Sequence, residues 1–125
     1  MKGKRNGKGI EYHDNGKICF EGEYLNGKEW KGKGYDKNGN LSYHLNNEKN
    51  NIKEYYYNGR LIYEGEYLNG ERNGKGKEYD DDGNLLFKGE FINGEKYGKG
   101  KEYYDNGNLL FEGEFRSNIK WNGKH

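Results

Sequence analysis

The sequence contains no proline and no valine, and its 125 residues include a single cysteine. The absence of proline, beside 22 glycines, excludes a proline-rich linker. Because Cys19 is alone, an internal disulfide is impossible. No apolar run approaches the roughly 20 residues of a membrane-spanning helix, and the first residues lack the apolar segment of a signal peptide. We therefore expect a cytoplasmic protein.

Aromatic residues are abundant, whereas the apolar residues that usually build a core are few. Leu, Ile and Phe together number 20, a fraction close to that of disordered chains. The 13 tyrosines, five phenylalanines and two tryptophans argue for a folded chain, because rings bury much area at little cost in conformational entropy. The net charge of +1 gives little self-repulsion and argues against nucleic acid as a partner, since phosphate binding requires a basic excess. We expect one domain spanning residues 1–125.

One phrase recurs along the chain, as FEGEY from Phe20, YEGEY from Tyr63, FKGEF from Phe87 and FEGEF from Phe111. The last two steps are 24 residues long, and the 43-residue step before them fits two shortened units. A fixed period in this range indicates a repeat protein whose units complete each other's packing. The predicted units are 1–19 (partial), 20–42, 43–62 (degenerate), 63–86, 87–110 and 111–125 (partial). We expect irregular strand pairing at 44–51, where the Gly-Glu pair is lost.

Alternation within each unit predicts strands, and turn residues separate them. Phe87, Gly89 and Phe91 lie on one face of a predicted strand, with Lys88 and Glu90 on the other. The dipeptide Asn-Gly occurs ten times, and both residues tolerate the positive φ of tight turns. The pattern predicts roughly ten strands in sequential antiparallel order.

The charges predict a register within each pair of strands. Placing Phe91 opposite Gly98, across a six-residue connection, brings Gly89 opposite Gly100. Glycine weakens a strand but leaves room for an aromatic ring over the backbone. We therefore predict an aromatic-over-glycine face backed by a face of solvated ion pairs. The same register pairs Tyr67 with Gly74, Glu64 with Lys77, Glu66 with Lys75 and Glu90 with Lys99.

The segment Tyr63–Tyr79, Y-x-G-E-Y-x-N-G followed by G-x-G-K-E-Y, resembles the MORN repeat. NGRLIYEGEYLNG at Asn58–Gly70 is similar to a short MORN variant common in bacterial proteins. This resemblance implies an all-β fold, an elongated, curved single-layer antiparallel sheet of successive hairpins. It also implies a scaffold, or a module that binds a peptide or helix along its concave face. Some members of the family are fused to lipid kinases.

Repetition argues against catalysis. Glu23, Glu66, Glu90 and Glu114 occupy one position of the unit, and equivalent positions cannot all form one active site. The three histidines are scattered, without metal-ligand spacing, and Cys19 takes the repeat position of Leu86 and Leu110 as a small apolar residue. We therefore expect no enzyme activity, no metal and no cofactor.

Two loop-like motifs have structural alternatives that we favour. Glu78–Asn84 (EYDDDGN) hints at a calcium loop, but the twelfth position from Glu78 is Gly89, where an EF-hand requires Glu. A hairpin turn is the favoured interpretation. Asn73–Lys77 (NGKGK) lacks the Ser or Thr and the following helix of a phosphate-binding loop, and is interpreted as strand.

The leading hypothesis is a protein-binding module, acting as a scaffold or as a small inhibitor that is antitoxin-like by analogy. It would bind a protein or peptide along its aromatic face. The alternatives are a membrane- or phosphoinositide-associated module with weak contact to anionic lipid, and a glycan-binding aromatic stripe. The partner's identity and the oligomeric state stay open. The predicted partner-binding residues are Tyr63, Tyr67, Phe87, Phe91 and Phe111.

Overall fold

The computed structural model describes residues 6–121, which form one open antiparallel sheet with strands in chain order. The prediction of an all-β array of successive hairpins is confirmed, with eleven strands among the described residues in place of roughly ten. In this part of the chain no helix is long and apolar enough to cross a membrane. The strands are β1 (Gly7–Tyr12), β2 (Ile18–Leu25), β3 (Lys28–Tyr35), β4 (Leu41–Asn46), β5 (Asn51–Tyr55), β6 (Leu61–Leu68), β7 (Glu71–Tyr79), β8 (Leu85–Ile92), β9 (Glu95–Tyr103), β10 (Leu109–Arg116) and β11 (Ile119–Trp121).

Two-residue turns close the hairpins within the regular units. In the turn between β8 and β9, Asn93 and Gly94 have φ of 51° and 84°. Positive φ at both central residues is the geometry of a type I′ turn, whose twist matches that of the flanking strands. Asn69 and Gly70 repeat this geometry between β6 and β7. Asn-Gly therefore sets the hairpins, as the sequence predicts.

Longer turns connect one unit to the next and share a second geometry. In the turn after β7, the N–H of Asp80 donates to the carbonyl of Asn84 at 2.9 Å, and Gly83 has a φ of +92°. The carboxylate of Asp80 also accepts the N–H groups of Asp82 and Asn84, which caps the turn from inside. The segment with calcium-like composition is thus a turn between strands.

The register agrees with the prediction at the glycines and departs from it near the hairpin ends. Gly89 lies opposite Gly100, but Phe91 lies opposite Lys96 and not opposite Gly98. The predicted six-residue connection is wrong, because the turn is only two residues long and β9 carries a bulge. In the equivalent bulge of β7, the carboxylate of Glu66 accepts the N–H of Lys75 at 2.8 Å, and Tyr67 pairs with Arg72, not with Gly74. The register pair Glu64–Lys77 is confirmed.

Aromatic rings lie over glycine backbone and form the core. A Cβ atom added to Gly100 would lie 2.6 Å from the ring of Phe87, and one added to Gly76 would overlap the ring of Tyr63. Neighbouring rings meet edge to face. The ring centre of Phe87 lies 5.4 Å from that of Phe91 and 5.1 Å from that of Phe115. Each such pair contributes about 0.5–1.5 kcal/mol beyond the area it buries. The predicted aromatic-over-glycine face is confirmed, and it is the core of a one-sheet fold.

The degenerate unit (43–62) is shorter than its neighbours but is not irregular. Strands β4 and β5 pair in unbroken register from Tyr43 with Glu54 to Asn46 with Asn51, so the expectation of irregular pairing is wrong. The missing residues are those of the bulge, and their loss leaves a simple ladder. A second difference lies at the glycine positions, which hold Leu45 and Ile52, at 5% and 4% exposure.

The ring of Tyr43 compensates for these two side chains. It lies over Gly34 on the preceding strand, where an added Cβ would overlap it, and not over its own hairpin. Gly34 occupies the position that Glu78 and Glu102 hold in the regular units. The glycine at position 34 therefore accommodates the ring that Ile52 displaces.

Candidate functional site

A row of alternating charges crosses the aromatic face from β5 to β11. Arg72 binds Glu54 at 2.8 Å and also binds Glu78, while Lys96 lies 3.5 Å from Glu78 and 3.7 Å from Glu102. Arg72 and Lys96 thus each bridge two acidic groups on different strands. Side chains of this row are only 18–26% exposed, apart from Lys120, which is 47% exposed. We call this row the charge ladder; it consists of Glu54, Arg72, Glu78, Lys96, Glu102 and Lys120.

The cations of the charge ladder cover the aromatic core. The guanidinium of Arg72 lies 4.2 Å from the ring centre of Tyr63, and the ammonium of Lys96 lies 4.6 Å from that of Phe87. Cations attract the negative face of a ring, most strongly when water is excluded. The cover is close, since Tyr63 and Phe87 are 0% exposed and Phe91 is 1% exposed.

This burial corrects part of the predicted site. A partner cannot touch the rings of Tyr63, Phe87 and Phe91, because the core and the charge ladder enclose them. Tyr67 and Phe111 are only partly buried, and Lys120 lies 5.3 Å from the ring centre of Phe111. That a partner binds the aromatic face stays a prediction. Of the five predicted residues, Tyr67 alone has no cation over its ring in the part of the chain described.

The charge ladder stops at the degenerate unit. Glu78 and Glu102 each bind two cations, but among residues 6–121 Glu54 binds only Arg72. The hairpin β4–β5 has lost the bulge, and also the cation that directly precedes the bulge in β7 and β9. The equivalents of Tyr67 are Phe91 and Phe115, and each has the cation of the preceding hairpin over its ring, at 5.7 and 5.9 Å. Tyr67 is therefore uncovered because that cation is missing.

In β3 the cation position holds an acid. Glu29 lies opposite Tyr24, as Arg72 lies opposite Tyr67, and accepts the hydroxyl of Tyr43 at 2.5 Å. Burial raises the pKa of Glu29, and the negative charge of Glu11 raises it further, against the opposing effect of the Tyr43 hydrogen bond. This half of the aromatic face is thus acidic where the other half is balanced.

A groove of about 1150 Å³ opens on this acidic half, across β3 to β6. Its walls are mainly aromatic and aliphatic, and its charged lining consists of Lys28, Glu29 and Glu54. The exposed Leu25 and Leu68 lie at its edge, at 42% and 48% exposure. We call it the acidic groove; its defining residues are Glu29, Trp30, Tyr43, Ile52, Glu54 and Tyr67.

The opposite face of the sheet carries a second groove, of about 950 Å³, floored by the glycine pairs of β6 to β10. Lys77, Lys88 and Lys101 lie side by side along one wall, directly opposite one another across β7, β8 and β9. Like charges in register repel one another. We call these three residues the lysine row.

The ion pairs predicted for this face do not form. Among residues 6–121, the pairs Glu64–Lys77, Glu66–Lys75 and Glu90–Lys99 are absent, and Lys101 lies 4.0 Å from Glu112. The carboxylate of Glu64 accepts the hydroxyl of Tyr79 at 2.7 Å, and that of Glu66 accepts a backbone N–H in the bulge. Glu64 and Glu66 therefore bind other donors in place of the facing lysine side chains. The bound Glu64 and burial together raise the pKa of Tyr79 to about 12, with burial the larger cause.

The remaining reactive groups have structural roles. Burial, followed by the charges of Glu11 and Glu29, raises the pKa of the Cys19 thiol, which disfavours the nucleophilic thiolate. The carboxylates of residues 80–82 come within 4.8 Å of one another. Hydrogen bonds from the backbone of Asn84 lower the pKa of Asp80, because that carboxylate caps its own turn.

An open sheet whose strand order equals chain order, with one hairpin per 24-residue period, defines a protein built of hairpin repeats. The MORN repeat matches residues 63–85, and the MORN repeat variant matches residues 5–26 and 96–117, together more than half of the chain. The chain belongs to the MORN-repeat family. No curated protein matches it. MORN repeats commonly mediate protein or membrane binding, and the family is generally non-enzymatic.

Proposed function

We propose that this protein is a non-enzymatic, cytoplasmic binding module, a scaffold or a small inhibitor, that binds a protein or peptide in the acidic groove. The observation that carries the proposal is the uncovered ring of Tyr67. Its equivalents Phe91 and Phe115 are each 1% exposed beneath a cation, whereas Tyr67 is partly exposed and lines the acidic groove.

The groove has the composition of a protein-recognition surface. Tyr and Trp are enriched among the residues that dominate binding energies, and both line the groove, as Tyr67 and Trp30. Exposed leucines at its edge add apolar area. A volume of about 1150 Å³ exceeds the roughly 300–1000 Å³ of small-molecule pockets and suits a peptide segment or a helix face.

The experiment selects peptides that bind the immobilised protein from a random library and measures their affinities for variants. We expect Tyr67→Ala to weaken binding at least tenfold, as at a binding hot spot. Trp30→Ser tests the groove independently of Tyr67. Tyr104→Ala is the matched control, since Tyr104 is 51% exposed in a turn outside the groove.

The proposal fails if folded Tyr67→Ala and Trp30→Ser variants keep full affinity for the selected peptides. It fails equally if Tyr104→Ala weakens binding as much as the groove variants do. Melting curves of each variant establish that the comparison is made between folded proteins.

The lysine row favours a second candidate, association with anionic membranes. Lys88 stands where the other units have Glu21, Glu64 and Glu112, and this substitution creates three adjacent cations. A cation near an anionic surface contributes about 1 kcal/mol. Neighbouring glutamates limit the excess, so this contact would be weak.

A further inference from the structure

We infer that the partner inserts an arginine or lysine, flanked by apolar residues, into the vacant cation position between Glu54 and Tyr67. This inference rests on the proposed function of the acidic groove, and it names the chemistry that the groove recognises. The repeat itself supplies the template, because the same position is filled in the three following hairpins.

The template is periodic. Arg72, Lys96 and Lys120 are 24 residues apart, and the first two each bind the glutamate six residues later, Glu78 and Glu102. Counting back one period from Arg72 reaches Glu48, which is acidic and lies in the β4–β5 turn. There Glu48 pairs with Lys31 at 3.0 Å. Among residues 6–121, no cation therefore occupies this point of the degenerate unit.

Only one of the two carboxylate oxygens of Glu54 has a hydrogen-bond partner among residues 6–121. Its Oε1 atom accepts the guanidinium of Arg72 at 2.8 Å, and no residue between 6 and 121 donates to its Oε2 atom. Glu78 and Glu102 each bind the cation of the following hairpin and also a cation of their own hairpin, which is Arg72 for Glu78 and Lys96 for Glu102. A partner's cation would give Glu54 a second cation, as Glu78 and Glu102 already have.

The ring of Tyr67 marks the same position. Burial raises the pKa of Tyr67, and the charges of Glu54 and Glu29 raise it further. Both carboxylates thus act on this one ring from the two sides of the groove. A cation placed above the ring would face two negative groups and one π-face, as Arg72 does at Glu54, Glu78 and Tyr63.

Arginine fits this position better than lysine. A guanidinium is planar, stacks on a ring and donates to two carboxylates at once, whereas an ammonium is a strongly hydrated point charge. The apolar lining at Ile52 and Trp30 requires apolar neighbours on either side of the cation. Lys28 at the groove edge leaves the lining with a net negative charge, which complements a basic segment.

The first experiment compares each selected peptide with an analogue in which citrulline, the neutral isostere, replaces arginine. We expect at least a tenfold loss of affinity, about 1.4 kcal/mol. On the protein, Glu54→Gln and Glu29→Gln should each cause a comparable loss. Glu112→Gln is the matched control, an exposed carboxylate on the opposite face.

Nuclear magnetic resonance with N-acetyl-arginine amide, against N-acetyl-citrulline amide, tests the position without any peptide. We expect the arginine probe to shift the amide signals of Glu54 and Tyr67, and the citrulline probe to leave them unchanged. Equal binding of citrulline peptides, or no arginine-specific shift at Glu54 and Tyr67, overturns the inference.

The two proposals fail separately. If the peptides require Tyr67 and Trp30 but tolerate citrulline, the groove binds partners without a cation, and only this inference is wrong. If affinity is independent of Tyr67 and Trp30, the proposed function itself is wrong.

Discussion

The guanidinium of Arg72 lies 4.2 Å from the ring centre of Tyr63 while it also binds the carboxylates of Glu54 and Glu78. One side chain therefore closes the core and joins β5 to β7. In a single sheet no second layer can cover the aromatic face, and long charged side chains take over that role. Their apolar stems cover the rings while their charged ends pair with one another.

Arg72→Met is expected to reduce the free energy of unfolding by about 2–3 kcal/mol, because it leaves Glu54 without a partner among residues 6–121 and leaves Glu78 with Lys96 alone. Arg72→Lys should cost less, since it keeps the charge but loses the two-pronged contact. Urea denaturation measures both values.

The control for Arg72 is Lys101→Met, which removes a solvent-exposed ion pair at 4.0 Å. Its effect should stay within about 0.5 kcal/mol. Equal losses from Arg72→Met and Lys101→Met would contradict a structural role for the charge ladder.

Gly100→Ala is expected to destabilise the fold by about 2 kcal/mol, because its Cβ would lie 2.6 Å from the Phe87 ring. Adding Phe87→Leu should recover at least about 1 kcal/mol relative to the sum of the single changes. Gly107→Ala is the control: its φ of +91° makes alanine costly, but nothing lies within 4 Å of its Cβ. Strict additivity of Gly100→Ala and Phe87→Leu, measured by denaturation, would argue against ring-over-glycine packing.

Glu29→Gln should stabilise the protein at pH 7 relative to wild type. Burial and Glu11 raise the pKa of Glu29 above 4.5, so the folded state holds this proton more tightly than the unfolded state. The associated stability is complete below pH 4.5 and is lost as pH rises through the folded-state pKa.

Thermal melting of wild type and Glu29→Gln at pH 4 and pH 7 checks this dependence. The difference between the two proteins should be largest at pH 7 and should shrink at pH 4. A Glu29→Gln variant that is less stable at pH 7 than wild type would show that the ionised carboxylate is favourable there.

Lys88→Glu tests the membrane alternative. We expect the wild type to bind phosphatidylserine-containing vesicles weakly and only at low salt, through the lysine row. Lys88→Glu should abolish this binding, while Lys33→Glu, on the same face but outside the row, should change it little. Co-sedimentation that persists at high salt, or in Lys88→Glu, would exclude the lysine row as its cause.

Much of the fold follows from the sequence because its signals are local. Asn93 and Gly94 specify their turn through backbone conformation, and Phe87 with Gly100 specifies a ring over bare backbone. The bulge of β7 escapes prediction because Glu66 holds it through a carboxylate-to-backbone hydrogen bond, which leaves no alternation to detect. Glu66 is expected from the sequence to pair with the side chain of Lys75, so its hydrogen bond to the Lys75 backbone is not predicted.

The candidate site is only partly encoded in visible patterns. The 24-residue spacing of Arg72, Lys96 and Lys120 is present in the sequence and would have indicated a row of cations. Which face they cover depends on the bulge, so the charge ladder could not be placed without the structure. The acidic groove lies where the degenerate unit lacks a cation, and its lining includes Tyr43, whose ring packs over Gly34.

Fluorescence of Trp30 tests the central claim most directly, because the chain has two tryptophans and Trp30 lines the acidic groove. In a Trp121→Phe variant, Trp30 is the sole reporter; Trp30→Phe, which keeps Trp121, is the control. Saturation with a selected peptide should shift the Trp30 emission to shorter wavelength and reduce its quenching by acrylamide, with no change in the control. Unchanged Trp30 emission at a peptide concentration that calorimetry shows to be saturating would place the binding surface elsewhere and contradict the account.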